Sequence, residues 1–343
     1  MNRLLTADRG DAGRRLDLVL RRHLSDVDEA TRTRVQAWIE NGLVTVNGTP
    51  VRRVAARTAF GDLVSVVLPE PAPRTTMGPE DIGLDVLYED DHLLAVNKPA
   101  GLVVHPTFKH ATGTLMNALL GYARAWRSPE RPSIVGRLDK LTSGLVVVAR
   151  TAEAHAKLQR ALSSTASSTD CEKEYLAVVY GHVKAKRGEI DLRLAPSRTD
   201  RRRIVASTTT GAASLTRFER VAHVAAPRVG LSLVRCRLVT GRRHQIRAHL
   251  AARGWPIVGD PAYGEPALSP AAGGHWSRIV DVELAAALRA FPRQALHASR
   301  VAFIHPYTRA RVVIDAPLPR DFEDLLTAAN LHDHDASSRR HAS

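Results

Sequence analysis

The chain has 343 residues, enough for one large core and a small module. Forty-nine Lys and Arg against 35 Asp and Glu give a net charge of +14, which points to a polyanionic partner, either nucleic acid or an acidic membrane face. Two cysteines, Cys171 and Cys236, exclude a disulfide framework, and no Cys/His spacing matches a zinc site.

The charge is uneven. Residues 1–70 hold eleven Arg and nine acids, a balance of +2, so +12 lies in the remainder and the polyanion footprint is expected there. Asp8, Arg9, Asp11, Arg14 and Arg15 interrupt the start of the chain, so it has no apolar core of signal-peptide type. The longest apolar runs are too short to span a bilayer. A soluble, cytoplasmic-type protein without a membrane partner is expected, with a monomer as the default state.

From Arg14 to Pro69 the pattern reads as two helices followed by short strands. Leu16, Val19, Leu20 and Leu24 recur at helical spacing, and so do Val35, Trp38 and Ile39. Asn41-Gly42 stops the second helix, since Gly accepts the left-handed backbone that a helix end needs. Leu43 to Val46 reads as a strand, Asn47-Gly48 as a hairpin turn, and Val64 to Leu68 as another strand. Residues 70–83 have linker composition, opened by Pro69-Glu70-Pro71-Ala72-Pro73.

The large body is expected over 84–328. Val86 to Val96 reads as strand, acidic turn and strand, and Gly113 to Ala123 as a helix. The stretch from Ile134 to Ala149 ends in an unbroken apolar run, Leu145 to Ala149, behind the breaker Thr142-Ser143-Gly144. Such a run reads as a strand buried on both faces. Just before it, in a tight connection, Asp139 stands among Arg137 and Lys140, on the kind of rigid mount where reactive side chains are placed. Taken alone, an Asp capping a turn and paired with its neighbours fits better; the company the stretch keeps along the chain reverses that preference. A helix from Ala152 to Leu162, a strand from Glu172 to Tyr180, a strand from Leu231 to Val239, and a turn and helix over 240–250 follow. Many short strands with few helices between them indicate an α+β fold with a mixed, mainly antiparallel sheet. The tail, 329–343, mingles Asp, His, Ser and Arg and is expected to be disordered.

Two resemblances sharpen this reading. Arg15-Leu16-Asp17, Gly42 to Gly48 and Gly61-Asp62-Leu63-Val64 resemble the small alpha-L RNA-binding domain of a ribosomal protein and several RNA-modifying enzymes, here over 1–69. Gly136-Arg137-Leu138-Asp139-Lys140-Leu141-Thr142-Ser143-Gly144 resembles the signature of the RluA-type pseudouridine synthases. Supporting it in order are Asn97-Lys98-Pro99 with Gly101, Lys173 with Tyr175, His244-Gln245-Ile246-Arg247 with His249, Gly259-Asp260, Tyr263-Gly264 and Leu296-His297-Ala298.

That resemblance implies isomerisation of uridine in structured RNA, ribosomal RNA ahead of transfer RNA, without cofactor or metal. It assigns Asp139 to engage the target nucleoside, as nucleophile toward the sugar or the base or as the group that removes a proton from the sugar, and Arg247 to be its salt-bridge partner. An opposite charge in contact favours the ionised carboxylate in a site that excludes water. It gives Ile246 the role of an apolar floor under the base. Tyr175 stacks on the uracil and moves the carbon-five proton, and Arg137 fills the gap that a flipped nucleotide leaves. His244 and His249 read as packing residues, since their spacing is not that of a His-Glu-x-x-His metal frame. Arg198 and Arg201 to Arg203 read as a solvated loop touching phosphate.

The sequence departs from the family pattern at Gly136, where His is usual, and at Leu141, where an acid is frequent. Ser163 to Asp170 replaces an aromatic and an Arg, and Glu265 to Pro292 reads as an insertion. The rival class is a non-catalytic RNA-binding assembly factor that retains the fold. A metal-dependent nuclease lacks an acidic cluster for its ions.

Overall fold

The computed structural model describes the chain apart from residues 1, 28–29, 70–77, 108–109, 127–130, 164–169, 201–202, 225–229, 265–281 and 333–343. It divides into two units, Met1–Thr76 and Met77–Ser343.

In the first unit, helices α1 (Leu16–His23) and α2 (Arg32–Glu40) accompany strands β1 (Asn2–Thr6), β2 (Val44–Val46), β3 (Thr49–Pro50) and β4 (Leu63–Val67). The strands form an antiparallel sheet in the order β1-β4-β2-β3. Leu16, Leu20, Val35, Trp38 and Ile39 are buried against Val64 and Val66, as their spacing requires. Asn47 and Gly48 both take positive φ, 51° and 79°, which is the backbone an Asn-Gly hairpin needs. Strand β1 was not foreseen: Leu4 is 65% exposed, so this edge strand lacks the alternation that marks a buried face. Asp11 is buried, accepting from Arg22 and the Asp8 N–H, with His23 Nε2 2.7 Å away.

The second unit begins with β5 (Val86–Glu89), β6 (Leu93–Lys98), α3 (Leu115–Tyr122), β7 (Ser133–Val135), β8 (Ser143–Ala149), α4 (Ala152–Ala161) and β9 (Cys171–Tyr180). Next come β10 (Arg187–Asp191), β11 (Arg193–Pro196), β12 (Ile204–Ser207), β13 (Leu215–Val224), β14 (Leu231–Leu238) and α5 (Gln245–Ala252). The unit closes with α6 (Val282–Ala290), β15 (Leu296–Ile304), β16 (Arg311–Asp315) and α7 (Arg320–Ala328). Ten strands form one sheet, ordered β10-β13-β14-β9-β15-β8-β6-β5, with β16 on β15 and β7 on β8. Every pairing in it is antiparallel except β8 with β15. The α+β class with a mixed, mainly antiparallel sheet therefore holds.

Strands β6 and β8 are buried on both faces, which is why they read as unbroken apolar runs. Leu94, Val96, Val146 and Val148 meet Leu115 and Leu119 of α3, while Leu93, Ala95 and Val147 meet Leu158 of α4. Each such leucine contributes about 1.5–3 kcal/mol by leaving water. Helix α3 starts at a capping box, with Thr114 accepting from the Asn117 N–H and Asn117 returning to the Thr114 N–H.

Three expectations need adjustment. Of the linker 70–83, residues 78–80 are tied to α3: Glu80 N donates to Asn117 O, and Asn117 Nδ2 donates to Gly78 O. The expected insertion 265–292 includes α6, whose Leu284 and Leu288 enter the core; 265–281 lie outside the described residues. Ala329 and Leu331 are buried in that same core, so packing extends past the expected start of the tail, and 333–343 lie outside the described residues. The Arg198 segment is the connection of the β11–β12 hairpin, with Arg198 exposed; its Arg201 and Arg202 lie outside the described residues. So do residues 164–169 of the serine-rich stretch.

Candidate active site

The Asp139 loop joins β7 to β8 and is held from three sides. Thr142 N donates to Asp139 O at 3.1 Å, closing a turn. Lys98, fully buried at the end of β6, donates from Nζ to the carbonyls of Pro99, Leu102 and Lys140 at 2.7, 3.1 and 3.0 Å. Gly101 N reaches the same Lys140 carbonyl at 2.9 Å, and Gln294 Nε2 donates to Thr142 Oγ1 at 3.0 Å. Burial, with Arg293 nearby, pulls the Lys98 ammonium down to about 8, and the charge of Asp139 opposes that. At Gly144 the chain runs so close to β15 that a Cβ would sit 2.2 Å from Ala298 O. The Asn-Lys-Pro, Thr-Ser-Gly and Leu-His-Ala matches thus share one physical task, to fix this loop.

Helix α5 supplies the opposite wall. His244, at its N-cap, has a left-handed backbone (φ 54°, ψ 21°). Gln245 anchors the helix start by donating to Leu215 O and Thr216 Oγ1. From the first turn Arg247 points back to the loop: Nη1 donates to Asp139 Oδ2 at 2.9 Å, while Nε and Nη2 donate to Asp260 at 2.7 and 2.8 Å. Burial alone would lower the Arg247 pKa, but Asp260 and then Asp139 raise it on balance. The side chains of Arg247 and Asp260 are 7% and 0% exposed, so this pairing is largely shielded from solvent.

A cavity of about 510 Å³ lies between these walls, lined by Asp139, Tyr175, Ile246, Arg247, Arg137 and His244. Each residue assigned by resemblance is therefore brought to one place. Tyr175 comes from β9, Ile246 and Arg247 from α5, and Asp139 from the loop ahead of β8. Ile246 is 4% exposed, whereas Arg137 is exposed and makes no hydrogen bond or ion pair among the described residues. Burial, then the charge of Asp139, pushes the Tyr175 phenol well above its ordinary range, so it stays protonated at neutral pH.

Sequence reasoning gave Asp260, Tyr263 and His244 no role in the site. Asp260 holds Arg247 and also accepts from the N–H groups of Ala262 and Tyr263. The Tyr263 ring lies under the Arg247 guanidinium, 5.1 Å from centroid to carbon. The signal was present in Gly259-Asp260 and Tyr263-Gly264, but motif order does not say which side chain meets which. His249 does pack, as expected, with Nδ1 3.0 Å from Thr216 Oγ1 and Nε2 3.2 Å from Leu192 O.

The arrangement presents one carboxylate whose Oδ2 is engaged, beside an apolar floor and an aromatic ring, in a cleft sized for a nucleoside. A family profile described as RNA pseudouridylate synthase matches residues 92–252, the interval holding Asp139, Tyr175, Ile246 and Arg247. The chain belongs to the RNA pseudouridylate synthase family and is an RNA pseudouridine synthase, an isomerase. It is 41% identical over 331 residues to the ribosomal large subunit pseudouridine synthase D of Xylella fastidiosa, covering 95% of this chain and 92% of that one. It is 36% identical over 330 residues to an uncharacterised RNA pseudouridine synthase of Bacillus subtilis, covering 95% and 98%. The solved structure of human RNA pseudouridylate synthase domain containing 4 shares the fold, with a TM-score of 0.54 at 22% identity, over 71% of this chain and 92% of that chain. Among the described residues no helix is long and apolar enough to cross a membrane.

Proposed function

We propose that the chain converts uridine to pseudouridine in structured ribosomal RNA, using Asp139 as the nucleophile and no cofactor. The ribosomal substrate is supported by the relatives named for the large ribosomal subunit, and a substrate of that kind supports a cytoplasmic location.

In this reading a uridine flips out of its stack into the cavity. Ile246 lies under the base and Tyr175 stacks on it. Arg247 fixes the carboxylate by Oδ2, leaving Oδ1 without a hydrogen bond among the described residues and open to the nucleoside. Attack by Asp139 on the sugar forms an ester and breaks the glycosidic bond; uracil turns, its carbon five displaces the carboxylate from the sugar, and that carbon loses its proton while the freed ring nitrogen gains one. Tyr175 is a phenol until that stage. The phenol can take the carbon-five proton only by giving up its own, which passes to the uracil nitrogen freed from the sugar, so the exchange balances. Arg137, exposed at the mouth, occupies the gap in the RNA stack. The small unit, 1–69, acts as an alpha-L module that grips RNA by shape and backbone, with Arg14 and Arg32 exposed for phosphate. It acts as a monomer.

The observation that carries this reading is the 2.9 Å contact between Arg247 Nη1 and Asp139 Oδ2 at the cavity. Large-subunit ribosomal RNA labelled with tritium at uridine carbon five tests it. The protein releases tritium, and Asp139→Asn releases none. Release by the variant at the parental speed would refute the role of Asp139. A pseudouridine map of cells with and without the gene then identifies the position modified.

A further inference from the structure

We infer that His244 is a positioning residue for Asp139, its Nε2–H turned toward the carboxylate by the hydroxyl of Tyr263. The inference rests on Asp139 being the group that engages the nucleoside.

Three observations converge on it. The first is the backbone: a side chain other than Gly in the left-handed region is held there against a steric cost. His244 takes φ 54° and ψ 21° at the start of α5 and lines the cavity. The second is distance, since its Nε2 lies 3.8 Å from Asp139 Oδ2, the oxygen that Arg247 also holds.

The third is hydrogen-bond accounting around Tyr263. Its hydroxyl accepts from the Ile204 N–H at 2.8 Å and lies 3.1 Å from His244 Nδ1. Burial pushes the Tyr263 phenol up, so it keeps its proton. Among the described residues, Nδ1 is the acceptor that this proton meets. A neutral imidazole that accepts at Nδ1 carries its own proton on Nε2, and Nε2 is the nitrogen facing Asp139. Burial holds His244 below its ordinary range, with Arg247 and Arg243 acting in the same direction and Asp139 and Asp260 opposing. The ring is thus a neutral donor. The chain Ile204 N–H, Tyr263 O–H, His244 Nε2–H points at Oδ2 from 3.8 Å, within reach once substrate draws the site together, and leaves Oδ1 uncommitted.

Two variants separate this role from simple packing. Asn tolerates the left-handed backbone, and in His244→Asn its Oδ1 still accepts from Tyr263, but nothing reaches Asp139. On tritiated large-subunit ribosomal RNA we expect its kcat to fall roughly tenfold, with KM within about twofold, as loss of a donor to a charged group implies. In His244→Gln the longer amide carries an N–H to the Nε2 position and restores most of the rate. Tyr263→Phe frees the tautomer. Its defect persists at neutral and alkaline pH and shrinks only well below the ordinary histidine range of about 6.5, where protonation puts a hydrogen on both nitrogens.

A parental kcat for His244→Asn, or a loss in Tyr263→Phe that ignores pH, overturns the inference. Asp139→Asn run alongside distinguishes the two levels. If it stays active, the reading of Asp139 fails; if it is dead while His244→Asn is unimpaired, only the inference fails. A measurement independent of turnover is the nitrogen-15 spectrum of histidine-labelled protein, with the His244 signal identified by its loss in His244→Asn. An Nε2–H tautomer is expected, and an Nδ1–H tautomer refutes the proposal.

Discussion

Arg247 and Asp260 form a two-point pair, Nε to Oδ2 at 2.7 Å and Nη2 to Oδ1 at 2.8 Å, which leaves a single edge of the guanidinium for Asp139. A planar fork gripped at two points cannot rotate, so the third donor keeps its aim. Asp260→Asn keeps the shape but removes the charge that opposes Arg247. Breaking one side of a buried pair costs about 3–5 kcal/mol. We expect a melting temperature lower by roughly 6–20 °C, given about 2–4 °C per kcal/mol for a body of this size. Calorimetry measures it, and a shift near zero would mean that Asp139 alone suffices to hold the Arg.

Lysine cannot replace Arg247. A single ammonium has no fork to divide between Asp139 and Asp260. We expect Arg247→Lys to lower kcat about 100-fold or more, the equivalent of ~2.7 kcal/mol, measured by single-turnover tritium release. Retention of a third or more of the parental rate would show that charge, not geometry, is what this position supplies.

Two glycines of the loop separate strain from crowding. Gly136 has φ +92° with nothing within 4 Å of an added Cβ, whereas Gly144 has φ +108° with Ala298 O only 2.2 Å from one. Gly136→Ala is expected to cost about 1–2 kcal/mol, the left-handed penalty alone. Gly144→Ala must also separate β8 from β15, so it is expected to cost more than about 4 kcal/mol, in the range reserved for clashes and strain in a core. Urea titrations compare the two, and equal losses would contradict the distinction.

The sequence made the elements with strong periodicity readable: β6 and β8 as apolar runs, α1 and α2 by their buried faces, and the Asn47-Gly48 turn by its chemistry. Strand β1 was not readable, because an edge strand with Leu4 in solvent carries no amphipathic signature. Helix α6 went unmarked because its alanine-rich sequence shows little periodicity before it meets the core, whereas α7 was legible, with Phe322, Leu325, Leu326 and Ala329 at helical spacing, and was passed over. In the site, motif resemblance brought Asp139, Tyr175, Ile246 and Arg247 forward. It was silent on His244 turning inward, since that depends on a backbone conformation and on a phenol nineteen positions away.

In the small unit, burial alone would raise the Asp11 carboxyl, but contacts from His23, the Asp8 N–H and Arg22 hold it at about 2. A carboxyl depressed in the fold adds stability that is present above its unfolded value, near 3.8, and lost as pH falls to about 2. With Arg22 48% exposed, solvent screening limits the contribution to about 1–2 kcal/mol. Asp11→Asn should therefore be less stable than the parent at neutral pH, and the gap should close between about pH 4 and pH 2. Acid-dependent melting followed by circular dichroism tests this, and a gap that persists unchanged at the lowest pH would contradict it.

The parallel seam between β8 and β15 sets His297 beside Ser143 and Ala298 beside Gly144, stretches of chain some 150 positions apart. Contacts of such separation close late and slowly. During synthesis the loop ahead of β8 emerges long before the strand that seats it, so that seat is complete only once β15 has left the ribosome.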